Sequence, residues 1–203
     1  MEKKEILIAT ANLGKAEEIR QIFADSNFSL KFLFDFKEEI KDFIVLENAN
    51  SFEGNALIKA LLFGKHLGML TLADDSGLCV DALGGQPGIH SARYHTKGDD
   101  KSNYEKLLKE LENVSEKERG AHYHCSVAIY DPIDNFIATT DGHWEGRIAF
   151  QPKGDKSFGY APIFLPENFS YQKSAAEFNH EDLIGINHRG KAFRKAINIL
   201  ETL

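Results

Sequence analysis

The chain reads as a mixed α/β protein, one domain over residues 1–203. Three observations predict this class. Strand-like and helix-like segments alternate through the first third of the sequence. Two long strand-like runs, Ala121 to Tyr130 and Phe136 to Ile148, then follow one another across a short turn. The composition is that of a globular chain, 42% hydrophobic and 27% charged over 203 residues, with 15 Phe to fill a core.

Taken in order, Glu5 to Thr10 is a first strand and Ala11 to Gly14 a turn. Lys15 to Ala24 is a helix whose buried stripe is Ile19, Ile22 and Phe23. Ser29 to Phe34 is a second strand, and Phe36 to Asn50 is irregular and acidic. The next helix runs from about Ser51 to His66, with Asn50 as N-cap and Glu53 at N3. Phe52, Ala56, Ile58, Leu61 and Leu62 are its apolar positions. Met69 to Ala73 is an apolar strand that reaches Asp74 and Asp75. Adjacent strand residues face opposite ways, so these carboxylates cannot share the polar side of a regular strand, and the strand is expected to end there. Val80 to Gly88 is dense in Gly and Pro and forms an ordered loop at a lobe junction or site rim. Lys101 to Glu112 and Asn187 to Leu200 are helices, the latter burying Phe193, Ala196, Ile197 and Leu200.

The bulk numbers exclude several function classes. No apolar run approaches the 18 or so residues of a transmembrane helix, and the N-terminus lacks a signal-peptide pattern, so no membrane partner and a cytoplasmic location are expected. A net charge of −7 argues against nucleic acid as a partner. It leaves room for a small phosphate-bearing ligand, because focused cations and a metal reverse the local field. Cys79 and Cys125 are too few for a disulfide framework and suit small buried positions. His122 and His124 share a strand face, read here as a polar sheet face rather than a metal motif.

Five segments can carry chemistry. Asp74-Asp75-Ser76-Gly77 offers hard oxygen ligands suited to Mg²⁺, or else an Asx-turn that only reverses the chain. Thr10-Ala11-Asn12-Leu13-Gly14-Lys15 sets a hydroxyl, an amide and an ammonium beside a helix N-terminus, where phosphate is favoured. It is no Walker A loop, since the second glycine and the Lys-Ser/Thr pair are missing. Asn55 and Lys59 lie one helical turn apart on one face, with Glu47 just ahead as a further oxygen ligand. Phe158-Gly159-Tyr160 can offer a flat face to a base, although aromatic clusters also build cores. Finally, His188 and Arg189 at a helix N-terminus oppose its dipole, a local conflict that a ligand would explain.

These segments, in this order and spacing, resemble the inosine triphosphate pyrophosphatases. The resemblance spans residues 6 to about 200. It rests on Thr10-x-Asn12-x-Gly14-Lys15-x-x-Glu18, Ser51-Phe52-x-x-Asn55-Ala56-x-x-Lys59-Ala60 and Ala73-Asp74-Asp75-Ser76-Gly77-Leu78. Leu83-Gly84-Gly85-x-Pro87-Gly88-x-x-Ser91-Ala92-Arg93-Tyr94, Phe158-Gly159-Tyr160 and His188-Arg189 complete it. It implies an elongated two-lobed fold with a central cleft and long antiparallel strands, working as a homodimer. It implies Mg²⁺-dependent hydrolysis of a nucleotide substrate (ITP, XTP or dITP) to the monophosphate and pyrophosphate. Thr10, Asn12, Gly14 and Lys15 would grip the triphosphate, with Lys59 assisting. Glu47 and Asp75 would hold Mg²⁺, with Asp74 supporting the metal or the turn. Asp75 would also be the proton acceptor for the attacking water, although a carboxylate beside a metal has a lowered pKa and is a weak base. Ser76 would contact substrate. Phe158, Gly159, Tyr160 and Ala161 would line the base pocket, and His188 and Arg189 would read the purine.

Three positions depart from the pattern of that family. Ala161 stands where an Asp follows Phe-Gly-Tyr, Leu183 where a Lys precedes the His by five residues, and Asn187 where a Ser precedes His-Arg. All three fall in base recognition, which predicts a working pyrophosphatase with relaxed or shifted base preference. Two alternatives follow: the same reaction on another modified or pyrimidine nucleotide, or a nucleotide-binding protein with little turnover.

Overall fold

The computed structural model describes residues 3–202 and has a mixed α/β architecture around one six-stranded sheet. In chain order the elements are β1 (Lys4–Ile8), α1 (Leu13–Ile22), β2 (Phe28–Phe32), α2 (Phe52–Leu67) and β3 (Thr71–Val80). They continue with α3 (Asp100–Glu110), β4 (Gly120–Asp131), β5 (Phe136–Ile148), β6 (Phe164–Pro166), α4 (His180–Ile184) and α5 (His188–Leu200). The strands lie in the order β2-β1-β3-β4-β5-β6. β1 pairs in parallel with β2 and with β3, setting Ile6 opposite Leu30 and Ile8 opposite Leu72. Parallel neighbours need long crossovers, which is where α1 and α2 fall. β4 and β5 are separated by only four residues, a link that antiparallel neighbours alone permit. β6 runs antiparallel to β5, with Phe164 opposite Ile148.

The chain divides into two compact units. The first comprises Met1–Asp75, Cys125–Gly142 and Gly190–Leu203. Ile6–Ile8 of β1 and Thr71–Ala73 of β3 are buried on both faces, which explains why no exposed polar residue interrupts them. Ile6, Ile8 and Leu72 join Ile19, Phe23, Val127 and Phe193 in one cluster. The intervening Leu7 and Ala73 join Ala56, Ala60, Phe63 and Tyr130 in another. The second unit comprises Ser76–His124 and His143–Arg189 and packs around Leu78, Leu107, Leu111, Trp144, Ile163 and Phe164. A buried guanidinium binds backbone carbonyls there. Arg119 is 1% exposed and donates to the carbonyls of Leu111, Ile148 and Ala149 at 2.7, 2.9 and 3.0 Å.

Several expectations change in detail. β2 stops at Phe32 because Leu33–Asp35 turns in a 3₁₀ helix, with the Asp35 carboxylate accepting the Phe32 N–H at 2.8 Å. The N-cap of α2 is Ser51, not Asn50: its Oγ accepts the Gly54 N–H at 3.0 Å. Leu62 on this helix is 41% exposed, and the buried stripe is Phe52, Ala56, Ala60 and Phe63, spaced by four, four and three. Most consequentially, β3 does not end at the aspartates but runs through them to Val80. β6 and α4, three and five residues long, are too short for periodicity to announce. Cys125 is buried and Cys79 half-buried. His122 and His124 meet His143, at ring separations of 5.6 and 4.2 Å. Among the described residues no three His, Cys, Asp or Glu are grouped to hold a metal, and no helix is long and apolar enough to cross a membrane.

Candidate active site

The alternation of β3 continues through its polar residues. Leu72 and Ala73 sit in different clusters on the two faces, and Asp74 and Asp75 inherit those faces in turn. Asp74, 2% exposed, accepts a hydrogen bond from Lys15 Nζ of α1 at 2.8 Å. Asp75 turns to α2, where Asn55 Nδ2 donates to its Oδ2 at 2.9 Å and Lys59 Nζ lies 3.9 Å from its Oδ1. Asn55 is itself fixed, its Oδ1 accepting the Ala49 N–H at 3.0 Å. Lys59 also donates to Glu47 Oε2 at 2.9 Å. The first unit therefore gathers Lys15, Lys59, Glu47, Asp74 and Asp75 into one charged group.

The electrostatics are coupled. Burial pushes the Lys59 ammonium down, but Asp74, Asp75 and Glu47 together outweigh it, so its pKa stands above the ordinary lysine value. Burial wins at Asp75: its carboxyl stands above the ordinary aspartate range although Lys59, Asn55 and Lys15 all pull it down. In the protein alone Asp75 is thus a stronger base than the lowered pKa expected from the sequence.

Would Mg²⁺ suit this group? Glu47 and Asp75 are hard oxygen donors of the kind that cation takes, and an ammonium already lies against both. Two lysines against three carboxylates leave an excess of one negative charge when all are ionised, which a divalent cation would convert to an excess of one positive. The donor set fits.

The turn between β1 and α1 is held by its own polar residues. Asn12 is the N-cap of α1, its Oδ1 accepting the Lys15 N–H at 3.0 Å, and the Asn12 N–H is held by Thr10 Oγ1 at 3.2 Å. Gly14 lies in the first turn, where a helix leaves N–H groups without intrahelical partners. Lys15 spends one of its three donors on Asp74.

The remaining predicted residues belong to the second unit. Arg189, 4% exposed, donates to Ser76 Oγ at 2.9 Å. The ring of His188, 8% exposed, stacks on Tyr123 at 4.7 Å and 12°. Phe158 is 39% exposed, whereas Tyr160 is buried and donates its hydroxyl to the Ser91 carbonyl at 2.9 Å. Gly159 between them has φ +66° and donates its N–H to Asp100 Oδ2 at 2.7 Å. Ala161 and Leu183 both enter the apolar cluster of Trp144, Tyr160 and Phe164, and Asn187 is buried.

The structure thus brings Lys15, Glu47, Lys59, Asp74 and Asp75 together, and separately Ser76 with Arg189. Three contributors are absent from the site set expected from sequence. Asn55 was visible as the residue one turn before Lys59, but its grip on Asp75 was not. Tyr123 and Asp100 carry no local signal, because their partners stand 65 and 59 positions away.

A model of the Ham1 family matches residues 6–199. A protein of Bacillus subtilis named dITP/XTP pyrophosphatase is 39% identical over 201 residues, covering 98% of each chain. One of the same name from Streptomyces avermitilis is 40% identical over 200 residues, again covering 98% of each. Among solved structures, the Ham1 protein of Staphylococcus aureus is similar with a TM-score of 0.85 and 37% identity, over 98% of this chain and 99% of that one. A HAM1 protein from Coxiella burnetii gives 0.86 and 33%, over 98% and 100%.

Proposed function

The chain belongs to the Ham1 family, and on that premise we propose that it hydrolyses non-canonical purine nucleoside triphosphates such as dITP and XTP to the monophosphate and pyrophosphate. The observation that carries the reading is the charged group on β3, where adjacent aspartates each face a lysine from a different helix. Phosphoryl transfer asks a protein chiefly for positioning and charge neutralisation, and this group supplies both.

In this reading Glu47 and Asp75 hold Mg²⁺. When bound, the ion supplies Lewis-acid neutralisation of the phosphate oxygens and a more acidic water. Lys15 and Lys59 balance the triphosphate charge, and Thr10, Asn12 and the first-turn N–H groups of α1 orient its oxygens. Asn55 fixes the Asp75 carboxylate so that its Oδ1 side faces Lys59, and Asp75 receives the proton of the attacking water. Asp74 anchors Lys15 and supports the metal site at second hand. In the second unit, Ser76 with Arg189, His188 on Tyr123, and Phe158-Gly159-Tyr160 recognise the base. The resemblance extends the proposal to a cytoplasmic homodimer.

Ala161 and Leu183 favour a second substrate range. Where a carboxylate and an ammonium would face the base, both side chains are apolar and packed into the core. Losing polar readout costs discrimination far more than it costs hydrolysis, so the base preference is relaxed or shifted relative to dITP and XTP, toward other modified or pyrimidine nucleotides. A panel of NTPs and dNTPs with Mg²⁺, assayed separately for pyrophosphate and orthophosphate, tests both readings. Pyrophosphate from dITP or XTP is the expected result. Orthophosphate alone, or no product from any nucleotide, contradicts the reading.

A further inference from the structure

We propose that Asp100 is the positioning residue of the base-recognition turn: its carboxylate holds the Gly159 N–H and so sets the plane in which Phe158 and Tyr160 are presented. The inference rests on the reading of Phe158-Gly159-Tyr160 as base-binding, and adds a residue that no motif includes.

The geometry begins at Gly159. Its φ of +66° is left-handed, and nothing lies within 4 Å of the place a Cβ would occupy. Glycine is therefore required by the backbone conformation and not by crowding. This conformation directs the amide of Gly159 at Asp100 Oδ2, 2.7 Å away, short enough for a charge-assisted hydrogen bond. The turn is closed by Ala161 N–H donating to the Phe158 carbonyl at 3.3 Å, and the Tyr160 hydroxyl is tied to Ser91. The segment is thus held at its peptide by Asp100 and at its buried ring by Ser91. The N–H that Asp100 holds belongs to the Phe158–Gly159 peptide, whose carbonyl takes the Ala161 N–H, so both ends of that peptide are fixed where the partly exposed Phe158 leaves the backbone.

Asp100 stands in the first turn of α3 but is not its side-chain cap. Capping of α3 is done by Asp99, whose Oδ1 accepts the Ser102 N–H at 3.0 Å. The Asp100 side chain instead crosses 59 positions of sequence to the turn. Its charge also reaches the phenols of Tyr123 and Tyr160, both raised chiefly by burial and further by this carboxylate. Tyr123 is the residue on which His188 stacks. One carboxylate therefore bears on both halves of the base-reading group, in a chain that has Ala161 where a carboxylate was expected. Asp100 is exposed, so its bond adds little global stability; its effect is local orientation.

The test compares Asp100→Ala, which removes the acceptor, with Asp100→Asn, which keeps an oxygen for the Gly159 N–H. For Asp100→Ala the expectation is a rise in KM for dITP of about tenfold, kcat within about twofold, and melting within about 2 °C of the parent. Asp100→Asn recovers most of the KM. In ¹⁵N-labelled protein the Gly159 amide proton moves upfield in Asp100→Ala and stays near its parent position in Asp100→Asn. Unchanged KM in Asp100→Ala overturns the proposal, as does an equal KM rise in both variants. A readout without turnover separates this inference from the reading it rests on: binding of inosine 5′-monophosphate, followed by the fluorescence of Trp144, the only tryptophan. If the parent hydrolyses no purine triphosphate, the proposed function fails. Weaker binding of the monophosphate to Asp100→Ala then still supports the role of Asp100, and equal binding removes it.

Discussion

Asp74 and Asp75 are neighbours in β3, yet each answers a lysine from a different helix: Asp74 takes Lys15 at 2.8 Å and Asp75 faces Lys59 at 3.9 Å. The pleat of a continuous strand turns them to opposite faces, so each has its own close ammonium, although the charge of Lys59 is felt by both. It also divides their work. Asp74 is nearly sealed from solvent by its partner, while Asp75 keeps one oxygen on Asn55 and turns the other toward Lys59 and, beyond it, Glu47.

The Asp74–Lys15 pair predicts a stability effect. Its side chains are 1% and 19% exposed, so Lys15→Met leaves a buried carboxylate without its ammonium. The cost is about 3 kcal/mol. A chain of this size then melts about 6–12 °C lower. The double variant Lys15→Met/Asp74→Asn recovers much of that loss, because the uncompensated charge is gone. Urea denaturation of the four proteins checks this, and strict additivity would refute the pairing.

A second prediction concerns Arg119. Replacement by Met removes the guanidinium donors from the carbonyls of Ile148 and Ala149, while the Leu111 carbonyl keeps the Val114 N–H at 3.0 Å. Unmet buried acceptors cost about 1–3 kcal/mol each, and partial relaxation brings the expected total to about 3 kcal/mol. Thermal melts should fall with the KM for dITP unchanged.

Cys79 yields a pH prediction. Burial, and after it the charge of Asp81, raise its thiol above the ordinary value of 9.0. A raised pKa keeps the thiol protonated to higher pH, so the reactive thiolate appears later in the folded protein than in the unfolded chain. Iodoacetamide labelling followed by mass spectrometry should show slow modification of native Cys79 at pH 9, and faster modification at the same pH in urea. Equal rates would contradict the assigned environment.

Much of this was legible in the chain, for reasons that particular residues make plain. The runs around Ile6–Ile8 and Leu70–Ala73 announced buried strands because both their faces are covered. The capped turn into α1 was legible because Asn12, Gly14 and Lys15 act within one turn of backbone. The aspartate pair was half legible. That the two cannot share a face was right; that the strand must therefore end was wrong. The cations that make each face habitable come from 59 positions away for Asp74 and 16 for Asp75, where no local pattern can register them. Asp100 and Tyr123 escaped for the same reason.

Base selectivity provides a further prediction, altered by where the residues lie. Ala161 and Leu183 are 6% and 4% exposed. Ala161→Asp or Leu183→Lys alone buries a lone charge and should destabilise the protein by several kcal/mol, about 3 or more. Together they bring opposite charges into one apolar cluster. The double variant should melt above the worse single variant and prefer dITP over dATP more strongly than the parent. An unchanged substrate profile in a folded double variant would refute the link between these positions and base preference.

In the proposed function Asp75, and not its neighbour's ion pair, carries the hydrolytic chemistry. The measurement that reaches it most directly is Mg²⁺-dependent pyrophosphate release from dITP by Asp75→Asn, read beside its melting temperature. The substitution keeps size and relieves a buried charge, so the fold should be retained. Turnover is expected to fall by at least about 10²-fold, with melting at or above that of the parent. Near-normal turnover from a folded Asp75→Asn protein would contradict it.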